Sequence, residues 1–309
     1  MVTEHDSPSR RTVMIPAIKK AILFLTTVVF TCTGLAATIR VPADQPTIQA
    51  GIDAASNDDT VLLAGGTYSG EGNCNVDING KSLLIRSESG AESCVIDCAL
   101  QDPCFYVHSG TAASCEIQGL TIHRCRSDQG AAILSENCEL RIVSCIITGN
   151  RATTGAGICC LGDGSLAVSD SNISDNTAQI GAGVYCSGSI STAIDGSTIT
   201  QNIGSGVFCT EGCPLSISNS TVSLNRGRGV TGFNGLGVEH CRITDNRDGG
   251  IDCSGIVHIV HSSIDNNTAE SGAGIRCSQA DVHIDSCFVS GNPGGDSSLA
   301  AGGALHCSR

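Results

Sequence analysis

The segments ITGNRATTGAGICC (147–160), ISDNTAQIGAGVYC (173–186) and IDNNTAESGAGIRC (264–277) are three copies of one pattern. An apolar residue stands three positions before an asparagine, and a glycine-rich bend then leads into an apolar-x-Cys triplet. Looser copies complete the series: GSGVFC (204–209), GRGVTG (227–232), DGGIDC (248–253) and GGALHC (302–307). The asparagines are Asn150, Asn176, Asn202, Asn225, Asn246, Asn267 and Asn292, at steps of 26, 26, 23, 21, 21 and 25 residues. Self-similarity at such a period marks a solenoid. Eight residues ahead of each asparagine comes another apolar residue: Ile142, Val168, Ile194, Ile217, Val238, Ile259 or Ile284. Each unit therefore holds three short segments of alternating apolar and polar residues, the signature of half-buried strands. So short a unit, poor in hairpin turns, predicts one triangular coil. Stacked coils pair each strand in parallel with its equivalents above and below, and length variation is confined to the bends.

Composition agrees. The chain has 309 residues with 38 glycines, six Phe, three Tyr and no Trp. Few aromatics argue against one large spherical core and for a thin, repetitive interior. With 17 basic and 30 acidic residues, net −13, the chain lacks the basic footprint that nucleic acid requires. An acidic polysaccharide would need a local basic patch or bridging cations. The 19 cysteines suggest an oxidising compartment, in a chain too long to be a small disulfide scaffold.

Lys19 and Lys20 precede the apolar run AILFLTTVVF (21–30), and Gly34-Leu35-Ala36 follows. This order predicts a secretory signal peptide over residues 1–36. The expected location is outside the cytoplasm: extracellular, periplasmic or at the cell surface. No segment of the mature chain reads as a membrane span.

The repeat resembles the right-handed parallel β-helix of the pectin-lyase-like superfamily, over roughly residues 38–309. Its opening, TIRVPADQPTIQAGIDAASNDDTVLLAGGTY (38–68), is similar to the first strand, short capping helix and following strand of that family. Pro46 suits the first helical position, and Ile48, Ile52 and Ala55 line one helix face. The three quoted segments are also similar to the paired GGAI and FxxN repeats of polymorphic outer-membrane proteins, with Ile for Phe and GAG for GGA. The expected fold is all-β: a single right-handed parallel β-helix domain (38–309), three strands per coil, about nine to ten coils, with a short N-terminal capping helix.

The asparagines are expected to stack at one bend, their amides bonding to neighbouring amides and to the backbone while taking the left-handed conformation the bend needs. Cys160, Cys186, Cys209, Cys253, Cys277 and Cys307 share one inward position. Strand spacing of about 4.8 Å exceeds the Cβ separation of about 3.8 Å that a disulfide prefers, which predicts buried thiols there. The irregular Cys74, Cys94, Cys98, Cys104 and Cys115 are the better disulfide candidates, with connectivity open.

Alternation places Leu134, Cys159, Tyr185, Phe208, Thr231, Asp252, Arg276 and His306 on the outer face of one strand column. Within it, Tyr185, Phe208, Asp252, Arg276 and His306 form a candidate glycan-binding groove, rings for sugar faces beside charges for hydroxyls. His258 and His283, outward on successive coils with Glu239 and Asp285 nearby, are a candidate metal pair, and His240 and His261 are similarly related. The short aspartate-bearing signatures of pectin methylesterases, polygalacturonases and pectate lyases are absent, so no catalytic residue is assigned. The expected function is a non-catalytic surface, adhesive or glycan-binding module without a cofactor. Its partner would be a polysaccharide or cell-surface component, not nucleic acid. The alternative that the resemblance implies is a polysaccharide lyase or glycoside hydrolase, for which calcium would be the expected cofactor. The sequence stops at GGALHCSR (302–309), in a strand without a visible cap; the two expectations are a truncated gene product, or an end closed by a partner, for which end-to-end association is open to the unpaired strand edges.

Overall fold

The computed structural model describes residues 36–108 and 114–294, together with the strand Leu305–Ser308. Residues 1–35, where the signal peptide is expected, and most of the C-terminal segment lie outside the described residues. Every strand pairing is parallel, in one sheet of 17 strands and one of 10. The smaller sheet takes one strand from each coil, which gives ten coils. Its central file runs Ile122, Ile147, Ile173, Ile199, Val222, Ile243, Ile264, Val289 in unbroken register. The other two segments of each unit lie in the larger sheet. They fuse into one long strand in Ile158–Ser169 and Val184–Asp195, and stay separate in Val207–Cys209 and Leu215–Ser218. Inward aliphatic residues from all three segments meet in a narrow core whose members are almost wholly buried.

The helix Ile48–Ala54 lies at the N-terminal end, with Ile48 and Ile52 fully buried. Its cap is Thr47, whose side chain accepts from the Ala50 N–H at 3.2 Å. Pro46 therefore stands one residue before the cap and not at the first helical position. A Thr hydroxyl serves the free N–H groups of a helix start, which proline cannot do.

The asparagines form the expected file, fully buried from Asn150 to Asn267. The Asn202 Nδ2 donates to Asn225 Oδ1 (2.9 Å) and to the Ile173 carbonyl (3.1 Å), and its Oδ1 accepts from Asn176 N (3.0 Å) and Nδ2 (3.1 Å). The left-handed residue is not the asparagine, as expected from sequence, but its predecessor: Gly149, Asp175, Gln201, Leu224, Asp245, Asn266 and Gly291 have φ of 56 to 68°. The turn made there aims the next side chain inward, where the amide satisfies backbone groups that water cannot reach.

A second bend repeats this design and was not foreseen. Its left-handed file is Ser144, Asp170, Gly196, Asn219, His240, His261 and Ser286, with φ of 49 to 56°. Each is followed by a small polar residue turned inward. Ser171 Oγ accepts from Cys145 N (3.1 Å) and donates to the Ser169 carbonyl (2.8 Å), and Ser197, Ser220 and Ser262 act alike. Cys145, Cys241 and Cys287 fill this file too, each thiol donating two residues back.

The glycines before the apolar-x-Cys triplet are required by close approach. A Cβ on Gly183 would lie 2.4 Å from the Gly206 carbonyl oxygen, and one on Gly157 equally close to that of Gly183. Among the irregular cysteines, Cys74 and Cys98 are joined in a disulfide. Cys160, Cys186 and Cys209 are buried thiols in register.

Candidate functional site

The outward column of the apolar-x-Cys strands is continuous in backbone register, from Leu134 through Cys159, Tyr185, Phe208, Thr231, Asp252 and Arg276 to His306. The His306 side chain lies outside the described residues. Stacking of coils sets the spacing of side chains along the column. Tyr185 and Phe208 are half-buried and stacked, with ring centroids 5.9 Å apart and planes 18° from parallel. Phe233, on the loop after the next strand, meets Phe208 edge-on at 6.1 Å.

Beyond the rings the column changes character. Asp252 has no exposed side-chain surface, which corrects its expected place on an open groove face. Arg276 closes on it with two hydrogen bonds of 3.0 Å, Nε to Oδ1 and Nη2 to Oδ2. Arg228 donates to Oδ2 from the other side and holds the Asp248 carbonyl through Nε at 3.2 Å. A buried carboxylate persists only when paired in this way. Arg228 was missed by strand alternation because it sits in the bend, at the middle of GRG (227–229). The other units carry Ala156, Ala182, Ser205, Gly249 and Ala273 there, so a charged residue in that small-residue position was the available signal.

These residues bound a cleft of about 420 Å³ whose walls include Phe208, Arg228, Arg276, Asp248, Glu270 and Ser271. At its floor, Thr231 is fully buried and its Oγ1 makes no hydrogen bond, the one such side-chain atom among the described residues. An unpaired buried hydroxyl costs about 1–3 kcal/mol. Cys159 is also buried, not solvent-facing, and burial pushes its thiol up to about 12. It is an inert filler on the coil next to that of Tyr185.

The same column continues towards the N-terminus through Tyr106 and Asp77, which sequence reading did not reach. The Tyr106 hydroxyl donates to Glu136 at 2.5 Å, and this bond to a carboxylate, helped by burial, pushes the phenol up to about 12. His108 stacks on Tyr106 at 4.5 Å and bonds Asp77 at 2.8 Å. These four groups satisfy one another.

His258 and His283 are register partners, exposed, with ring centroids 5.8 Å apart and planes tilted by 56°. No third donor joins them within the close groupings of the described residues. Two such groups of three exist: Cys98 with Cys104 and Cys125, and Glu239 with His240 and His261. In the first, Cys98 is already bonded to Cys74.

Residues 69–235 and 156–308 match the family model described as right handed beta helix region. Among solved structures the chain is similar to pectate lyase Pel9A, at 15% identity and a TM-score of 0.53, over 87% of this chain and 82% of that one. It is also similar to alginate lyase from Paenibacillus sp. str. FPU-7, at 12% identity and a TM-score of 0.53, over 88% of this chain and 98% of that one. At these identities the likeness is one of fold. No curated protein matches the chain in sequence. Among the described residues no helix is long and apolar enough to cross a membrane.

Proposed function

The chain belongs to the right-handed β-helix family, and on that premise we propose that it is an exported, non-catalytic module that binds a neutral, hydroxyl-rich glycan. The ligand lies along the column from Tyr185 and Phe208 over the cleft to Arg276 and the His306 position. The carrying observation is the state of Asp252. It is the one carboxylate on the column between Leu134 and Arg276, and both its oxygens are engaged by arginines in a place closed to water. A group so held does not serve as the base, acid or nucleophile of glycoside cleavage; the carboxylates left open on the cleft wall are Asp248 and Glu270.

Charge favours a neutral ligand. Arg228 and Arg276 are matched by Asp252, and Asp248 and Glu270 stand on the cleft wall. A polyuronate would meet more negative than positive charge here, on a chain of net −13. Sugar rings offer apolar faces to Tyr185 and Phe208, and hydroxyls to the part-exposed arginine N–H groups and the other polar side chains of the cleft wall. No cofactor is required.

The lyase alternative is supported by the pectate and alginate lyases of similar fold, and fold alone does not carry a reaction. Purified protein is to be screened for binding on an array of neutral and acidic glycans. It is then to be incubated with the same polysaccharides, with and without calcium, while reducing ends and unsaturated uronates are measured. Binding of neutral glycans without products is expected. Products from any polysaccharide overturn the reading.

A further inference from the structure

On the second bend, far in character from the ringed cleft, two histidines occupy the left-handed file on adjacent coils. His240 has φ 51° and His261 φ 50°. The equivalent positions on the other coils carry Ser144, Asp170, Gly196, Asn219 and Ser286, small or polar residues of the kind such a turn favours. Neither imidazole fills a core position, for both are exposed. The shared backbone conformation makes the two side chains parallel: ring centroids lie 4.9 Å apart and planes 10° from parallel. Glu239 completes the group, its Oε1 3.4 Å from His240 Nδ1. One donor atom from each of the three residues lies within 4.8 Å of the other two.

We infer that Glu239, His240 and His261 bind one divalent transition-metal ion of the zinc class. Imidazole and carboxylate are the ligands that suit such ions. Bonds of about 2.0–2.2 Å to each donor require the donors to lie about 4 Å apart or closer, and the 4.8 Å limit that bounds them here leaves only a small side-chain adjustment to make. The side chains are exposed, while the coil stack fixes their Cα atoms. Three protein ligands leave further coordination positions to water. Arg242, which lines the same surface depression as His240 and His261, pairs with Asp265 at 3.9 Å. The His258 and His283 pair offers two donors with tilted rings and no third, and is the weaker place for an ion.

The test uses the full chain, titrated with Zn²⁺ in a calorimeter and with Co²⁺ in a spectrophotometer. His240→Asn and His261→Asn are the informative variants, because Asn219 already holds the same left-handed position one coil away and folding is preserved. The expected result is one Zn²⁺ per chain, with affinity lowered about tenfold or more by either variant or by Glu239→Gln, and unchanged by His258→Asn. Co²⁺ is expected to give a spectrum without a thiolate charge-transfer band. The inference is overturned if Zn²⁺ does not bind, if the double variant binds it as well as the parent, or if Co²⁺ reports sulfur ligands.

Discussion

Asp252 and Arg276 are register partners on adjacent coils, and Asp252, without any exposed side-chain surface, accepts two parallel hydrogen bonds of 3.0 Å from the Arg276 guanidinium. Arg228 reaches the same carboxylate from the bend below. The three residues behave as a unit, and the order of damage on breaking it follows from which charge is left behind. Replacing both arginines by alanine strands a buried carboxylate, at a cost of about 3–5 kcal/mol. Asp252→Asn frees two guanidinium groups that already touch solvent, and costs less. Urea unfolding of the two variants is expected to give the lower midpoint to the double arginine variant. Equal midpoints would contradict the pairing.

The asparagine file predicts that Asn202→Ala is among the most damaging small changes. It strands the Asn176 N–H, the Asn176 amide and the Ile173 carbonyl, all buried. At about 1–3 kcal/mol per orphaned group, with relaxation, a loss of about 3 kcal/mol or more is expected in equilibrium unfolding. A loss below about 1 kcal/mol would mean that the amides do not bind the coils together.

Close approach predicts that Gly183→Ala fails for steric reasons alone. Its Cβ would stand 2.4 Å from the Gly206 carbonyl oxygen, which is backbone and part of the next coil. Gly70, at φ 71° with open space around it, isolates the conformational cost, about 1–2 kcal/mol for alanine. Thermal melts are expected to place Gly183→Ala well below Gly70→Ala. The reverse order would refute the packing argument.

The buried thiols predict weakness at alkaline pH. Burial pushes Cys115 and Cys159 up to about 12, and Cys94 and Cys145 up to about 11, from an ordinary value of 9.0. Below pH 9 both folded and unfolded chains keep these protons, and stability is unaffected. Between 9 and about 11 to 12 the unfolded chain releases them while the folded chain does not, so stability falls as pH rises. The urea midpoint is expected to drop through that window, and native thiols are expected to resist alkylation at pH 9. Rapid labelling of the folded protein would contradict their burial.

Much of this molecule was legible because a β-helix repeats its own solution. The asparagine spacing fixed the coil length, and alternation fixed the column from Leu134 to His306 in the register observed. Alternation says which way a strand residue points, but not what a neighbouring bend folds over it. Asp252 therefore read as exposed, while Arg228, in a bend, went unseen as its cover. The left-handed turn was assigned to asparagine because that residue tolerates it. The true positions carry Gly149, Asp175, Asp245, Asn266 and Gly291, residues that favour such a turn, with Gln201 and Leu224 as the exceptions, so the signal stood one residue before each asparagine. The inward serine file was hidden because cysteine and serine interchange within it.

The most direct test of the binding account is a titration of purified chain with the neutral glycan selected on the array, run beside Phe208→Ala and Arg276→Ala, with product formation followed in the same tubes. The account predicts saturable binding by the parent, weakened in both variants, with no new reducing ends or unsaturated uronates after prolonged incubation. Turnover by the parent, or binding indifferent to both substitutions, would contradict it.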